Sequence, residues 1–315
     1  MHILIEVPTW LGDAVMATPA IENILKKYPD SKLTIFGSFI STKLFLHHPN
    51  VEKIIVDTSK KDGNRYVNLF NYAKGLKQID IAISFRRSFS SKFFLFFVDA
   101  KEKYNYKRFD STLTTHQVIR YNDFINRVLD QDFNPENLKI YTKNTPLKHN
   151  KPTLGINPGA TYGSAKRWYP KEFAKVAIAL STRYDIKIFG GPQEQNIALD
   201  IEKELQEANI TNYENLSGKT SVEELIEQIA SLSLFITNDS GPMHVAAAFQ
   251  IPTVAIFGPT RFNETHQWMN EKEMIVKKEM ECSPCMKRVC PLKHHDCMRL
   301  ITAEDVLQKL QLNKI

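Results

Sequence analysis

Three stretches of this 315-residue chain gather acids, cations and small residues directly after apolar runs that read as strands. The first is VPTWLGDAVMATPA, Val7 to Ala20, in which Gly12-Asp13 opens a helical pattern. Asp13 reads either as an N-cap satisfying free backbone amides or as a carboxylate at the mouth of a cleft, able to take a proton. The second is NPGATYGSAKRWYP, Asn157 to Pro170, with a hydroxyl at Thr161 and cations at Lys166 and Arg167. Its small residues would let backbone amides approach a phosphate, and a fixed lysine would supply a point charge. The competing reading is a surface loop with solvated cations. The third is TNDSGPMHVAAA, Thr237 to Ala248. Asp239, Ser240 and Gly241 come just before Pro242, the expected first residue of a helix. Free amides at that helix start would bind phosphate. The plainer roles are helix caps for Asp239 and Ser240 and a core position for His244. A fourth carboxylate, Glu194, follows Gly190-Gly191-Pro192. Carboxylates in that place bind ribose hydroxyls in nucleotide folds, and equally suit the first turn of a helix.

Other residues carry weaker signals. Arg86 and Arg87 follow the run Ile79 to Phe85 and would face a ligand beyond the strand; Lys60, Lys61, Lys92 and Arg120 are further cations of this kind. Trp10 would stack on a sugar or pack in the core. All four cysteines fall within CSPCMKRVCPLKHHDC. Cys282 and Cys285 have the C-x2-C spacing of a zinc knuckle, but Cys290 and Cys297 do not repeat it. A structural zinc on the four is therefore the less favoured reading, and a metal-free segment the favoured one. The run FFLFFV, Phe93 to Val98, is too short to span a bilayer and is expected as a buried helix turn rather than a membrane contact.

The elements that must position these residues alternate. Strand signals at Ile3–Val7, Leu33–Phe36, Ile54–Val56 and Ile79–Phe85 are separated by helical patterns, among them about Asp13–Tyr28 and about Thr115–Asp130. A polar stretch, Lys143 to Thr153, reads as a linker. The pattern then restarts with strands at Leu154–Asn157, Ile186–Phe189, Leu234–Asn238 and Thr253–Phe257, and helices at Pro170–Tyr184, after Gly191, Val222–Leu232, from Met243, and about Ala303–Leu310. Alternation of this sort predicts parallel sheets covered by helices, here as two tandem βα domains.

Composition narrows the function. The chain is 43% hydrophobic and 24% charged, with net charge +6, which suits a globular protein and not a disordered one. The excess is uneven: residues 1–150 hold 22 basic and 15 acidic side chains, net +7, and residues 151–315 hold 19 and 20, net −1. A positive first half fits an anionic partner. The cations form no contiguous run and no helix-turn-helix, RNP or finger pattern occurs, so nucleic acid is not the expected partner. No GxGxxG fingerprint or Walker A loop is present, which argues against a dinucleotide-dependent dehydrogenase and a P-loop enzyme. The N-terminus lacks the basic and apolar regions of a secretory signal, and a cytoplasmic setting is expected.

Taken together and in this order, Gly12-Asp13, GATYGSAKRW and TNDSGPMH resemble the ADP-heptose:lipopolysaccharide heptosyltransferases, most of all those that add the second heptose of the inner core. The resemblance covers nearly the whole chain. It implies two Rossmann-like domains facing across a cleft, the GT-B architecture. The implied division is residues 1–148 for acceptor, 149–302 for nucleotide sugar, and a last helix, 303–315, packing back on the first domain. It implies inverting transfer of L-glycero-D-manno-heptose from ADP-heptose to an anionic lipid A-linked inner-core acceptor, at the cytoplasmic face of the inner membrane. Asp13 matches the family's catalytic base. Thr161 and Lys166 match its pyrophosphate loop. Asp239, Ser240, Gly241 and His244 match its donor loop, and Glu194 its ribose ligand. Leu216–Thr220 falls where adenine approaches. Trp10, Gly12, Arg86 and Arg87 are the expected acceptor-side residues. No metal or cofactor is expected to be required. Transfer to the first or third core heptose, and a nucleotide-sugar epimerase of similar architecture, are the alternatives.

Overall fold

The computed structural model describes residues 1–61, 63–107, 115–146 and 149–315. They form two compact units, Met1–Lys143 and Asn144–Ile315. The division falls at the start of the expected linker, of which residues 147 and 148, including the expected boundary at Lys148, lie outside the described residues.

The first unit holds five strands: β1 (His2–Glu6), β2 (Lys32–Gly37), β3 (Val51–Val56), β4 (Ile79–Ser84) and β5 (Ala100–Asn105). All pairings are parallel and the order is β3-β2-β1-β4-β5. The central strand β1 is buried from Ile3 to Glu6, as a parallel strand covered on both faces must be. The second unit holds β6 (Thr153–Asn157), β7 (Asp185–Ile188), β8 (Tyr213–Asn215), β9 (Leu234–Asn238), β10 (Thr253–Phe257) and β11 (Glu273–Lys277). Their order is β11-β10-β9-β6-β7-β8, again parallel throughout. Counted within the unit, this is the doubly wound order 3-2-1-4-5-6 read from β8. In each sheet the strand order reverses at one place, between β1 and β4 in the first and between β6 and β9 in the second. Crevices beyond the carboxyl ends of strands at such points are where doubly wound sheets take ligands.

The expected strands are present, and three more accompany them. β5, β8 and β11 are edge strands of the two sheets. β5 reads AKEKYN and is largely exposed, so charge that protects an edge from further pairing hides the apolar run that would reveal a strand. The single helix expected over about Asp13–Tyr28 is two helices, Leu11–Met16 and Thr18–Lys27. Pro19 has no N–H to give Val15, and the Val15 carbonyl instead accepts from Thr18 Oγ1 at 2.7 Å.

The last helix, Ala303–Leu312, packs within the second unit. Val306 and Leu310 are buried in the second unit's own core with Leu154, Val176 and Val254. Ala303 N donates to Glu172 at 2.7 Å, and Lys278 pairs with Asp305 at 2.8 Å. No helix among the described residues is long and apolar enough to cross a membrane.

Candidate active site

In the second unit the two loops bordering the reversal of strand order are the two that the sequence singled out. β6 ends at Asn157 and feeds residues 158–169; β9 ends at Asn238 and feeds the helix Gly241–Ala248. The two terminal asparagines stitch these loops together. Asn157 Nδ2 lies 3.2 Å from Ser240 Oγ and 3.3 Å from both Thr237 Oγ1 and the Gly159 carbonyl. Asn238 donates to the Pro158 carbonyl at 2.7 Å and accepts from Trp168 N at 3.0 Å. Ser240 therefore spends its hydroxyl on the sheet end and does not cap its own helix; Met243 N donates to the Ser240 carbonyl at 3.2 Å.

Lys166 and Asp239 meet across these loops. Their ion pair measures 2.5 Å, with side chains 13% and 4% exposed. Thr260 donates to the same Asp239 oxygen at 2.6 Å, and the Lys166 ammonium sits 4.8 Å from the Tyr162 ring centroid. A buried carboxylate is a poor direct ligand for a diphosphate, since like charges repel. Asp239 instead fixes where the lysine charge lies. Glu194 comes in from the loop after β7: its carboxylate accepts from Gly191 N at 2.9 Å and packs against Gly159 so closely that a Cβ there would lie 2.1 Å from it. Thr161 is exposed on the loop after β6, and His244 is buried one turn into its helix. In the stretch expected near adenine, Gly218 has φ +69° and its N–H donates to the Gly190 carbonyl at 2.8 Å.

The cysteine segment packs behind the same loop. Ala165 N donates to the Arg288 carbonyl at 3.0 Å, Tyr162 Oη to the Met286 carbonyl at 2.8 Å, and His295 Nε2 lies 2.9 Å from the Ala165 carbonyl. Its four thiols are reduced. Burial, and then the neighbouring Cys285, Cys282 and Cys290, push the Cys297 thiol up to about 11. Among the described residues no group of three or more His, Cys, Asp and Glu side chains is arranged to hold a metal.

In the first unit the loops bordering the reversal are those after β1 and β4. Trp10 is half exposed and occupies the N-cap position of Leu11–Met16, so Asp13, partly exposed, is the third residue of that helix and not its cap. Gly12 is buried beside it. Arg86 departs from the expectation of an acceptor-facing cation. Its guanidinium, 12% exposed, donates to the Val7 carbonyl at 2.8 Å and pairs with Glu6 at 3.3 Å and Asp57 at 3.8 Å. It is a strut between the loop after β1 and the sheet, held by the buried Glu6 and the half-buried Asp57, with Nη2 left without a hydrogen-bond partner among the described residues. Burial raises the Glu6 carboxyl above its ordinary value, against the pull of Arg86, Ser84 and Ser91. Arg87, the next residue, is exposed. Tyr121 is buried against Phe85 at 5.3 Å between ring centroids. Burial, and then the Asp13 charge, push the Tyr121 phenol well up, against the pull of Gln117 and Arg87.

Sequence reasoning did not find Asn157, Asn238, Thr260, Glu6 or Tyr121. The two asparagines had a usable signal, a polar residue closing an otherwise apolar strand. The others are brought in by contacts from distant segments.

Two tandem doubly wound units, each with candidate residues at its own reversal point, make up the GT-B architecture, in which many glycosyltransferases are built. Over residues 69–295 the chain matches the model for glycosyltransferase family 9 (heptosyltransferase), and it belongs to that family. It is 42% identical over 315 residues to lipooligosaccharide heptosyltransferase 2 of Campylobacter jejuni serotype O:2, covering 98% of this chain and 97% of that one. Lipopolysaccharide heptosyltransferase 2 of Escherichia coli K12 is 24% identical over 98% of this chain and 97% of its own. The solved structure of the E. coli ADP-heptose heptosyltransferase II shares the fold at TM-score 0.82, 22% identity, and 99% and 98% coverage. E. coli heptosyltransferase WaaC with ADP does so at 0.80, 16% identity, and 99% and 100% coverage.

Proposed function

We propose that this glycosyltransferase moves heptose from ADP-heptose to a heptose of an anionic, lipid-linked inner core, with inversion, as heptosyltransferase II. The observation that carries the donor half of this reading is the Lys166–Asp239 pair beside the start of Gly241–Ala248, which no side chain caps. Lys166 and the amides around Ser240 and Gly241 take up the charge that develops on the departing diphosphate. Preorganised donors of this kind are worth ~2.7–4 kcal/mol each. Glu194 is the ribose ligand, Thr161 a further diphosphate contact, and His244 supports the loop from inside its helix. Asp13 is the general base: the acceptor oxygen bonds to the anomeric carbon, its proton passes to the Asp13 carboxylate, and the carbon–oxygen bond to ADP breaks. Trp10, Gly12 and Arg87 lie on the acceptor side. The cations already present take the role a metal would have, so no cofactor is required. Because the acceptor is lipid-linked, the enzyme works at the cytoplasmic face of the inner membrane.

The test is turnover of ADP-heptose with defined acceptors. A mono-heptosylated core should be extended and a heptose-free core left alone. Free heptose released without an extended acceptor would overturn the reading. In the same assay Asp13→Asn, if folded, should slow transfer by ~10²–10⁴-fold; near-normal turnover would remove Asp13 as the base.

A further inference from the structure

The run Phe93 to Val98 is only half buried. The helix Phe89–Phe97 turns Phe94 and Leu95 into the core beside Phe36 and Leu69, but Phe89 and Phe96 stand 71% and 74% exposed. The helix Arg65–Lys74 lies against it, joined by Arg65 to Ser90 Oγ at 2.7 Å, and adds Tyr66, Val67 and Phe70 to the same surface, all exposed. These rings are continuous. Tyr66 lies 6.0 Å from Phe89 and 5.0 Å from Phe93; Phe97 lies 4.9 Å from Phe93, 5.0 Å from Phe96 and 5.0 Å from Phe70. An aromatic surface of this extent is costly in water unless it has an occupant.

The charge around it says which. Neither helix contains a carboxylate, while Arg65, Lys74 and Lys92 are all in them. The Lys74 ammonium sits 5.6 Å from the Phe70 ring, and Lys103 from the neighbouring strand donates to the Phe96 carbonyl at 2.9 Å. Phenylalanine at the boundary of lipid tails, tyrosine and lysine at headgroup level, is the pattern of an interfacial surface on anionic lipid. A second copy of the chain docked face to face would instead set these lysines against one another.

We propose that the aromatic face built by Tyr66, Phe70, Phe89 and Phe96, with Lys74, Lys92 and Lys103 around it, docks on the anionic surface of a phospholipid bilayer. This deepens the reading of a lipid-linked acceptor and rests on it for its purpose.

The experiment sediments the full-length protein with vesicles of phosphatidylcholine alone or mixed with phosphatidylglycerol. Binding is expected to the mixed vesicles and to fall with salt. The double variant Phe89→Ser/Phe96→Ser should lower partitioning by roughly tenfold or more, with unchanged melting temperature and unchanged turnover of an acyl-free acceptor. Lys74→Glu/Lys103→Glu should weaken binding to mixed vesicles without touching a ring. Equal partitioning of wild type and both variants overturns the proposal, as does a wild type that binds neither vesicle. So does a wild-type dimer made monomeric by the double variant with vesicle binding intact. Aromatic-dependent vesicle binding in a protein that turns over no ADP-heptose supports the docking face and overturns the heptosyl-transfer reading.

Discussion

The Arg86 guanidinium reaches Val7, Glu6 and Asp57, while Arg87, one residue on, is exposed. Removing the first leaves Glu6, 2% exposed, as a buried charge without its cation. Arg86→Ala should therefore cost about 3 kcal/mol of stability, read as a lowered urea midpoint. Arg87→Ala should leave that midpoint unchanged and raise KM for the anionic acceptor while ADP binding stays the same. Equal stability of the two variants would show that Arg86 is not a strut. The residue scale is also where the Lys166–Asp239 pair belongs. Its carboxylate places a cation that would otherwise wander through its rotamers, so in the proposed reaction part of the ordering cost of binding a diphosphate would be met before the ligand arrives.

Loops, not single residues, set the geometry of the donor side. Gly159 in the loop after β6 lies against the Glu194 carboxylate from the loop after β7. A methyl group there has no room, and Glu194 must move, while the sheet behind is untouched. Gly159→Ala should raise KM for ADP-heptose by roughly tenfold, the scale of one lost hydrogen bond to a charged group, with little change in melting temperature. Glu194→Ala should do the same, and the double variant should be no worse than either. Additive losses would mean that the glycine acts through something other than Glu194. The cysteine segment has its place at this scale too. It props the loop carrying Tyr162 and Ala165 through backbone groups of Met286 and Arg288, so its fold matters more than its thiols.

Over the whole molecule, charge is divided between the units: residues 1–143 hold 21 basic and 15 acidic side chains, net +6, and residues 144–315 hold 20 of each. A field of that sign attracts a polyanion before contact, whereas on the proposed donor side a short-range pair and amides would act, which salt screens weakly. Raising ionic strength from about 0.05 to about 0.5 M should lower kcat/KM for the acceptor by roughly tenfold, with a much smaller change in ADP affinity. Parallel loss of both would remove the division of labour.

The sequence by itself determined the strands that make both sheet interiors, Ile3 to Glu6 and Leu234 to Asn238 among them, and the loops that follow them. Both signals are local: an apolar run buried on two faces, then small and charged residues. It also placed Asp13, Lys166, Asp239 and Glu194 after strands. Edge strands such as β5 stayed hidden because their charge obeys the needs of an edge. Tertiary structure alone decided the rest. Which strands border each reversal, that Lys166 meets Asp239 from 73 residues away, that Arg86 turns inward, and that Val306 and Leu310 join the second unit's core all depend on non-local contacts. Spacing along the chain carries no record of these, because they exist only once distant segments compete for the same buried charge or apolar surface.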